Sequence, residues 1–332
     1  MKTEGVLWYN ISKSKKHYKD KIIKMKMISD SMRFPMNAET RDKVKGSIWG
    51  LLVGDALGSP LQFGPGRKER KDYLTEMVPC GVFNTPKGCW TDDGSLALCI
   101  VDSFNRCKGY DLKDIAETFW KWQEEGYLSS MPYSFDEGFT TSRNITWAHI
   151  NGTLKAMPGS ATNGGIMRFS PGYFIGVAYG NEMKIPLEIS QLTHSAAGCD
   201  QAAWLLIDAL NQAMDNDRDG MPLGGNVKED ALGRIRCDSR DKVNPSGLAI
   251  PVLNAALWAF HKTKTFEDAL VEVINLGNDS DTSGAICGQI AGAFYGYKAI
   301  PQRWLKDMKD FEKLDAMIEK FLDGLDRIGT RD

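Results

Sequence analysis

The sequence predicts an all-α fold, a compact multi-helix domain that follows a basic N-terminal extension. Apolar residues recur at three- and four-residue spacing in several segments, whereas few segments alternate with period two. Two other stretches are dominated by Gly, Ala and other small residues, which suits helices that pack closely together. No repeat of 20–50 residues is visible. We therefore predict two parts, an extension at 1–41 and one helical domain at 42–332.

The composition is that of an ordinary globular protein, with 42% hydrophobic and 25% charged residues. A formal net charge of −2 gives no overall signature of nucleic-acid binding. Apolar runs end well short of a membrane span, and no apolar signal region follows the early lysines, so we expect neither a membrane segment nor a Sec-type signal. The seven cysteines are odd in number and lack C-x-x-C spacing, which favours reduced thiols in a cytoplasmic protein over disulfides or zinc.

Residues 1–41, here called the N-terminal arm, differ in composition from the rest of the chain. Nine basic residues stand against three acidic ones in 1–33, a local charge of +6, and aromatic and aliphatic residues are interleaved with them. Two interpretations stay open, a solvated basic tail and a segment that docks on an acidic partner surface. At the end of the arm, Asn37 or Thr40 is placed to cap the first helix.

The first predicted helix has a face without side chains, because glycine recurs at every fourth position, at Gly46, Gly50 and Gly54. Asp55 follows at the end of this helix, where a buried acid can orient neighbouring loops or metal-bound waters. Residues 64–89 are rich in Gly, Pro and Lys and indicate a surface loop.

Two acidic clusters each precede an apolar helix. Each combines carboxylates with a hydroxyl: Thr91, Asp92 and Asp93 in the first, Asp279, Asp281 and Thr282 in the second. Such residues often cap helices, since they accept from free N–H groups and oppose the helix dipole. Several buried carboxylates together also need a counter-cation, and oxygen ligands suit Mg²⁺ or Mn²⁺ better than zinc. The two clusters therefore predict helix N-termini that converge on a metal site, which could be binuclear.

Between and after the clusters, the periodicity predicts further amphipathic helices. Their apolar positions lie within 112–122, 248–260, 266–274 and 314–325, and Thr193-His194 opens another helical stretch. Residues 125–144 lack such periodicity and indicate a functional loop. The segment Asn163–Arg168 is a glycine-rich loop whose N–H groups can approach a phosphate group, with Arg168 supplying charge. Residues 214–246 form a polar connection.

These motifs resemble, in their order, those of the ADP-ribosylglycohydrolase family, which includes the enzyme that reactivates ADP-ribosylated dinitrogenase reductase. The matching segments are GSIWGLLVGDALGSPLQF, WTDDGSLAL, EGYLSS, NGGIMRFSP, THSAAGCDQA and LGNDSDTSGAICGQIAGAFYG. They span about residues 44–310, so the N-terminal arm lies outside the resemblance.

The resemblance implies hydrolysis of the bond between C1″ of ADP-ribose and a protein side chain, most often arginine. It implies two Mg²⁺ or Mn²⁺ ions that hold the ribose hydroxyls and position a water, and an oxocarbenium-like transition state. The implied metal ligands are Thr91, Asp92, Asp93, Asp279, Asp281 and Thr282, and the implied catalytic carboxylates are Asp92, Asp93 and Asp281. The implied ADP-ribose contacts are Asp136, Gly138, Asn163, Gly164, Gly165, Met167 and His194. A turn-stabilising role for Asp136 and a structural role for His194 stay open.

Three positions depart from the family pattern. Gln62 stands where many members have Glu, Gly94 where Thr is usual, and Thr162 where Gly is usual. The first two departures leave open a module that binds ADP-ribose or a transferase without turnover. Another alternative is an immunity protein that hydrolyses the modification and binds an ADP-ribosyltransferase toxin through the N-terminal arm. Retention of all four ligand carboxylates favours the hydrolase.

Overall fold

The computed structural model of the protein describes residues 34–64, 66–222 and 239–330, and the backbone of 228–229 and 235–236. Within these residues the fold is all-α, as predicted. The helices are α1 (Ala38–Gly58), α2 (Asp92–Cys107), α3 (Leu112–Glu125), α4 (Phe139–Asn151), α5 (Ser170–Ala178), α6 (Lys184–Gln191), α7 (Ala197–Met214), α8 (Ala249–Lys262), α9 (Phe266–Ile274), α10 (Ser280–Tyr295), α11 (Gln302–Asp307) and α12 (Phe311–Gly329). Two strands, β1 (Lys228–Glu229) and β2 (Ile235–Arg236), form a two-residue antiparallel pair. Among the described helices, none is long and apolar enough to cross a membrane.

Helices α1 and α10 pack against each other as antiparallel neighbours, closer than ordinary side chains allow. A Cβ added at Gly288 of α10 would lie 1.9 Å from the carbonyl oxygen of Gly50 of α1. The same contact is repeated one helical turn to either side, by the pairs Gly46–Gly292 and Gly54–Gly284. The small-residue face predicted for the first helix is therefore confirmed, and its partner is the second glycine-rich helix. This antiparallel packing places the end of α1 beside the beginning of α10, where the Ser280 hydroxyl donates to the Gly58 carbonyl at 2.9 Å.

Asp55, near the end of α1, fixes the beginning of α2. Its fully buried carboxylate accepts from the N–H of Thr91 at 3.0 Å, from the Thr91 hydroxyl at 2.9 Å and from the N–H of Gly94 at 2.8 Å. Asp55 thus satisfies free N–H groups in the first turn of α2 from a distant part of the chain. Through α1, the N-termini of α2 and α10 are held next to each other, which confirms that the two acidic clusters converge.

Local signals place several elements as expected. The Asn37 side chain accepts from the N–H of Thr40 at 2.8 Å and caps α1. Asp111 likewise caps α3, the helix predicted from the apolar positions in 112–122. The six described cysteines are unpaired, and Cys237 lies outside the described residues. Residues 1–33 of the N-terminal arm also lie outside them, and the division of the chain at residue 41 stays a prediction.

Other segments differ from the sequence prediction. Residues 139–144, expected to be loop, form the beginning of α4. Thr193 and His194, expected to open a helix, lie in the turn before α7, where the Asn144 side chain donates to the Thr193 carbonyl at 2.8 Å. Helix α5 was not predicted, because it is buried along its whole length and therefore carries no amphipathic period.

Candidate active site

A pocket of about 270 Å³ opens where the N-termini of α2 and α10 meet. Most of the site residues expected from the sequence line it: Asp92, Asp136, Gly138, Asn163, Gly164, Met167, His194, Asp279, Asp281 and Thr282. They come from two helix N-termini and from the loops that precede α4, α5 and α7. The structure therefore gathers residues separated by up to about 190 positions into one cleft.

Three of the expected site residues do not line this pocket. Thr91 is buried and donates its hydroxyl to Asp55, and it lies 3.5 Å from Asp93. Asp93 is 1% exposed and contacts Thr282. Gly165 packs against Ser190, since a Cβ on this glycine would lie 2.3 Å from the Ser190 hydroxyl oxygen. Thr91, Asp93 and Gly165 support the pocket wall from behind.

The carboxylates around the pocket hold their protons more tightly than exposed acids do. Burial raises the pKa of Asp55 to about 7 and that of Asp136 to about 6. The pKa values of Asp92, Asp93 and Asp281 lie well above the ordinary value, first because of burial and then because neighbouring carboxylates repel their negative charge. Such a cluster is expensive to ionise without a cation.

The chemistry of the donors fits a hard divalent cation. One buried carboxylate oxygen of each of Asp93, Asp136 and Asp281 has no hydrogen-bond partner, although buried acceptors usually have one. Among the described residues, no three carboxylate, imidazole or thiol groups are already gathered around one point as a metal site. Two neighbouring carboxylates are held by amides instead, Asp279 by Asn163 at 2.7 Å and Asp136 by Gln62 at 3.2 Å.

The structure shows what surrounds two of the three positions that depart from the family pattern, Gln62 and Gly94. Gln62 lines the pocket, where its amide donates to Asp136 and its own oxygen is buried without a partner. Gly94 lies against Trp90, because a Cβ there would be 2.8 Å from an indole carbon.

Asp136 has φ of +61°, an uncommon conformation that holds its side chain at the pocket in a turn. The turn and pocket interpretations of Asp136 are thus compatible.

The glycine-rich loop lies directly over His194. A Cβ on Gly164 would lie 2.6 Å from the imidazole Cε1, so this contact requires glycine. Within the described residues, no backbone carbonyl accepts from the N–H of Gly164, so this donor is available to a ligand in the pocket. Arg168, which was expected to supply charge beside this loop, does not line the pocket. Its side chain is fully buried and donates to the Gly164 carbonyl and to the Thr193 hydroxyl beneath the loop.

Sequence reasoning missed the aromatic rim of the pocket. Phe63 and Phe139 both line it, although 71% and 78% of their surfaces are exposed. Each directly follows a residue that we had singled out, Gln62 or Gly138. The sequence signal for both residues was a large apolar side chain in a segment without helical periodicity. Because such a segment has no face directed toward the core, an exposed binding role was the remaining explanation for the side chain.

We expect added Mg²⁺ to stabilise the metal-free protein, and more so at pH 8 than at pH 5.5. Because the folded-state pKa values of Asp55, Asp92 and Asp281 are raised, the metal-free fold loses stability as pH rises from about 4 through about 7. A bound ion neutralises the acidic clusters and stabilises the fold by about 2.7 kcal/mol at a hundredfold excess over its dissociation constant. For a chain of this length that corresponds to a rise in Tm of about 4 °C.

Thermal unfolding followed by circular dichroism after exhaustive chelation, at both pH values and with Mg²⁺, Mn²⁺ or Ca²⁺ restored, measures this effect. Mn²⁺ should act as Mg²⁺ does, and Ca²⁺ less. An identical Tm with and without ions at pH 8 would show that the acidic clusters serve only as helix caps.

Three comparisons with known proteins show the family to which the chain belongs. The model of the family described as ADP-ribosylglycohydrolase matches residues 36–329. The ADP-ribosylarginine hydrolase Tri1 of Serratia proteamaculans (strain 568) is 33% identical over 294 residues, which cover 85% of this chain and 80% of that protein. The ADP-ribosyl-dinitrogen reductase glycohydrolase of Rhodospirillum rubrum is 29% identical, covering 84% and 92%. A solved structure titled ADP-ribosylglycohydrolase-related protein complex superposes with a TM-score of 0.70 at 29% identity, over 89% of this chain and 100% of that one.

Proposed function

Because the chain belongs to the ADP-ribosylglycohydrolase family, we propose that it removes ADP-ribose from modified protein side chains by hydrolysing the bond at C1″ of the ribose. We take arginine as the modified residue, since the S. proteamaculans relative is named an ADP-ribosylarginine hydrolase. The observation that carries the proposal is the convergence of Asp92, Asp279 and Asp281 beside a glycine-rich loop in one pocket.

The carboxylates at the helix N-termini form the reacting end of the proposed site. Divalent cations such as Mg²⁺ or Mn²⁺, held by the two acidic clusters, would supply Lewis-acid chemistry there. Asp92 and Asp281 line the pocket, and either of them can take a proton from water or stabilise positive charge developing at the anomeric carbon. Asp93 has an unpartnered oxygen behind the pocket wall, so we assign it to ion binding and orientation. Asp136, near Gln62, would contact the ribose hydroxyls.

The glycine-rich loop forms the end of the site that would hold the diphosphate. The N–H of Gly164, which lines the pocket, is available to donate to a diphosphate oxygen, because no backbone carbonyl of the described residues accepts from it. Asn163 links this loop to Asp279, so the diphosphate and the reacting end are held at a fixed separation. Fixed geometry of this kind lowers the entropic cost of reaching the transition state.

Release of free ADP-ribose from an ADP-ribosyl-arginine substrate, with and without Mg²⁺, tests the proposal. We expect product only with the ion. No product under either condition, together with tight binding of ADP-ribose, would instead support the binding module that Gln62 and Gly94 leave open. The cytoplasm, expected from the cysteine pattern, stays the proposed compartment.

A second proposed function is immunity against an ADP-ribosyltransferase toxin bound by the N-terminal arm. Residues 1–33 of this arm carry a local charge of +6. Phe34 and Met36 pack on the core and the Met36 N–H donates to Asp326 at 2.6 Å, so the arm should be cut before them. We expect deletion of 1–33 to leave hydrolysis of a small substrate unchanged, because the predicted site residues all follow Gly88. The deletion should weaken a complex with a cognate transferase, measured by surface plasmon resonance. Equal loss of both activities would contradict this assignment.

A further inference from the structure

A continuous series of hydrogen bonds runs beneath the glycine-rich loop and ends in the pocket. It connects four side chains, Arg168, Thr193, His194 and Thr162. The Arg168 Nη2 lies 2.6 Å from the Thr193 hydroxyl oxygen, that oxygen lies 2.8 Å from His194 Nδ1, and His194 Nε2 lies 2.9 Å from the Thr162 hydroxyl oxygen. Arg168, Thr193 and His194 are buried, whereas Thr162 is partly exposed and lines the pocket.

The chemistry of the buried members fixes the direction of each bond. A guanidinium can only donate, so the Thr193 oxygen accepts from Arg168. The Thr193 hydroxyl proton then needs an acceptor, and among the described residues the acceptor within reach is His194 Nδ1. Leaving a buried hydroxyl proton unpaired would cost free energy, so Nδ1 must be the unprotonated nitrogen.

His194 therefore carries its proton on Nε2. Burial, followed by the nearby charge of Arg168, lowers the pKa of His194 to about 3, so the ring is neutral at physiological pH. The neutral ring has one N–H, and it donates to the Thr162 hydroxyl oxygen. This leaves the Thr162 hydroxyl proton free to be donated into the pocket.

The backbone holds Thr162 in place on both sides. Ala249 donates its N–H to the Ala161 carbonyl at 2.9 Å, and Asn163 donates its N–H to the Gly247 carbonyl at 3.2 Å. Thr162 itself forms an isolated antiparallel bridge with Leu248. The hydroxyl is therefore oriented by its own backbone as well as by His194, which reduces the entropy lost when it binds a ligand.

We infer that Thr162 is a ligand-binding residue whose hydroxyl, oriented by Arg168, Thr193 and His194, donates to a phosphate oxygen of the diphosphate in the substrate. A phosphate oxygen fits because it accepts and has no proton of its own to offer, whereas a sugar hydroxyl serves in either role. Thr162 also lies two residues before Gly164, whose free N–H suits the same anion. The inference deepens the proposed function and rests on it. It makes His194 a positioning residue that acts through Thr162.

Three measurements test the inference. In ¹⁵N spectra of the free protein with labelled histidine, the His194 signals should show a protonated Nε2 and an unprotonated Nδ1 at pH 7. These signals are assigned by their loss in the His194→Asn variant. In calorimetry, Thr162→Val should weaken ADP-ribose binding about tenfold, equivalent to about 1.4 kcal/mol. Thr162→Ser should restore the affinity because it keeps the hydroxyl. The ³¹P signals of bound ADP-ribose should move in the valine variant and return in the serine variant.

Thr153→Val is the matched control, because this hydroxyl lies outside the pocket and, among the described residues, hydrogen-bonds only to the Lys155 carbonyl, at 3.5 Å. It should leave both the affinity and the ³¹P signals unchanged. A His194 ring protonated on Nδ1, or a valine variant that binds ADP-ribose as tightly as the wild type, would overturn the inference while leaving the proposed function intact. An affinity that serine does not restore would also overturn it, since the methyl group and not the hydroxyl would then matter. Wild-type protein that neither binds nor releases ADP-ribose would overturn the proposed function and the inference together.

Discussion

Replacing Asp281 with asparagine should lower kcat by about a thousandfold, within the range for loss of a catalytic acid–base group. Asn is the same size, and its amide oxygen can still accept from the N–H of Thr282, which bonds to Asp281 at 2.8 Å. The change therefore removes the negative charge, and with it the ability to bind a cation or a proton, while the shape of the site is kept. The measurement is the single-turnover rate of ADP-ribose release at saturating Mg²⁺.

The same substitution should stabilise the metal-free protein. Asp281 is 1% exposed and its negative charge is opposed first by burial and then by Asp136 and Asp279. A neutral amide avoids this cost, so Asp281→Asn should melt above the wild type in a chelating buffer at pH 8. Lost activity with a raised Tm cannot be explained by misfolding.

Asp111→Asn provides the matched control for Asp281→Asn. Asp111 also lies at a helix N-terminus, where it caps α3 by accepting from the N–H groups of Lys113 and Asp114. Asn caps helices about as well as Asp, so both Tm and kcat should stay close to the wild-type values. If Asp281→Asn kept most of its activity, the carboxylate would be a helix residue without a catalytic role.

Substituting Gly288 with alanine should destabilise the fold by about 3 kcal/mol or more, at the upper end of what overpacking costs. The added Cβ would lie 1.9 Å from the carbonyl oxygen of Gly50. Because both sides of this contact are helix backbone, no side chain can rotate away, and α1 and α10 must separate. Separation would also move Asp55 and Asp281 apart, so the residual folded protein should lose metal-dependent stabilisation.

Chemical denaturation measures the free energy of unfolding of this variant. Gly81→Ala is the control, since a Cβ at Gly81 meets nothing within 4 Å and its φ is not positive. Its free energy of unfolding should stay within about 0.5 kcal/mol of the wild type. An equally small effect at Gly288 would show that the two helices can move apart without cost, and that their close contact does not hold the site.

Local sequence patterns predicted a large part of this fold. The spacing of apolar residues located α3, α8, α9 and α12, because each of these helices buries one face and exposes the other. Helix α5 has no exposed face, so its sequence carries no such period. The two acidic clusters were visible because several carboxylates at the beginning of buried helices need a counter-cation, whereas a single one can serve as a helix cap.

Individual side chains show where sequence reasoning reached its limit. Arg168 follows a glycine-rich loop, which suggests phosphate binding, yet its side chain turns beneath that loop toward Thr193. His194 was expected to contact the ligand, yet its Nε2 is already bound to Thr162. In both cases the residue type fitted the chemistry, and the direction of the side chain depended on neighbours about 25 or more positions away.

The sequence by itself determined the helical class, the small-residue faces of α1 and α10, and the presence of four carboxylates at two helix N-termini. These properties follow from the order of neighbouring residues, because helix periods, caps and turns involve positions only a few residues apart. Only the tertiary structure decided that α1 and α10 pair antiparallel through Gly50 and Gly288, and that Asp55 holds the beginning of α2. Such choices depend on which faces meet after the chain folds back on itself. Many pairings between helices that are distant in the chain are compatible with the same local pattern. Close packing of one helix backbone against another selects one of these pairings.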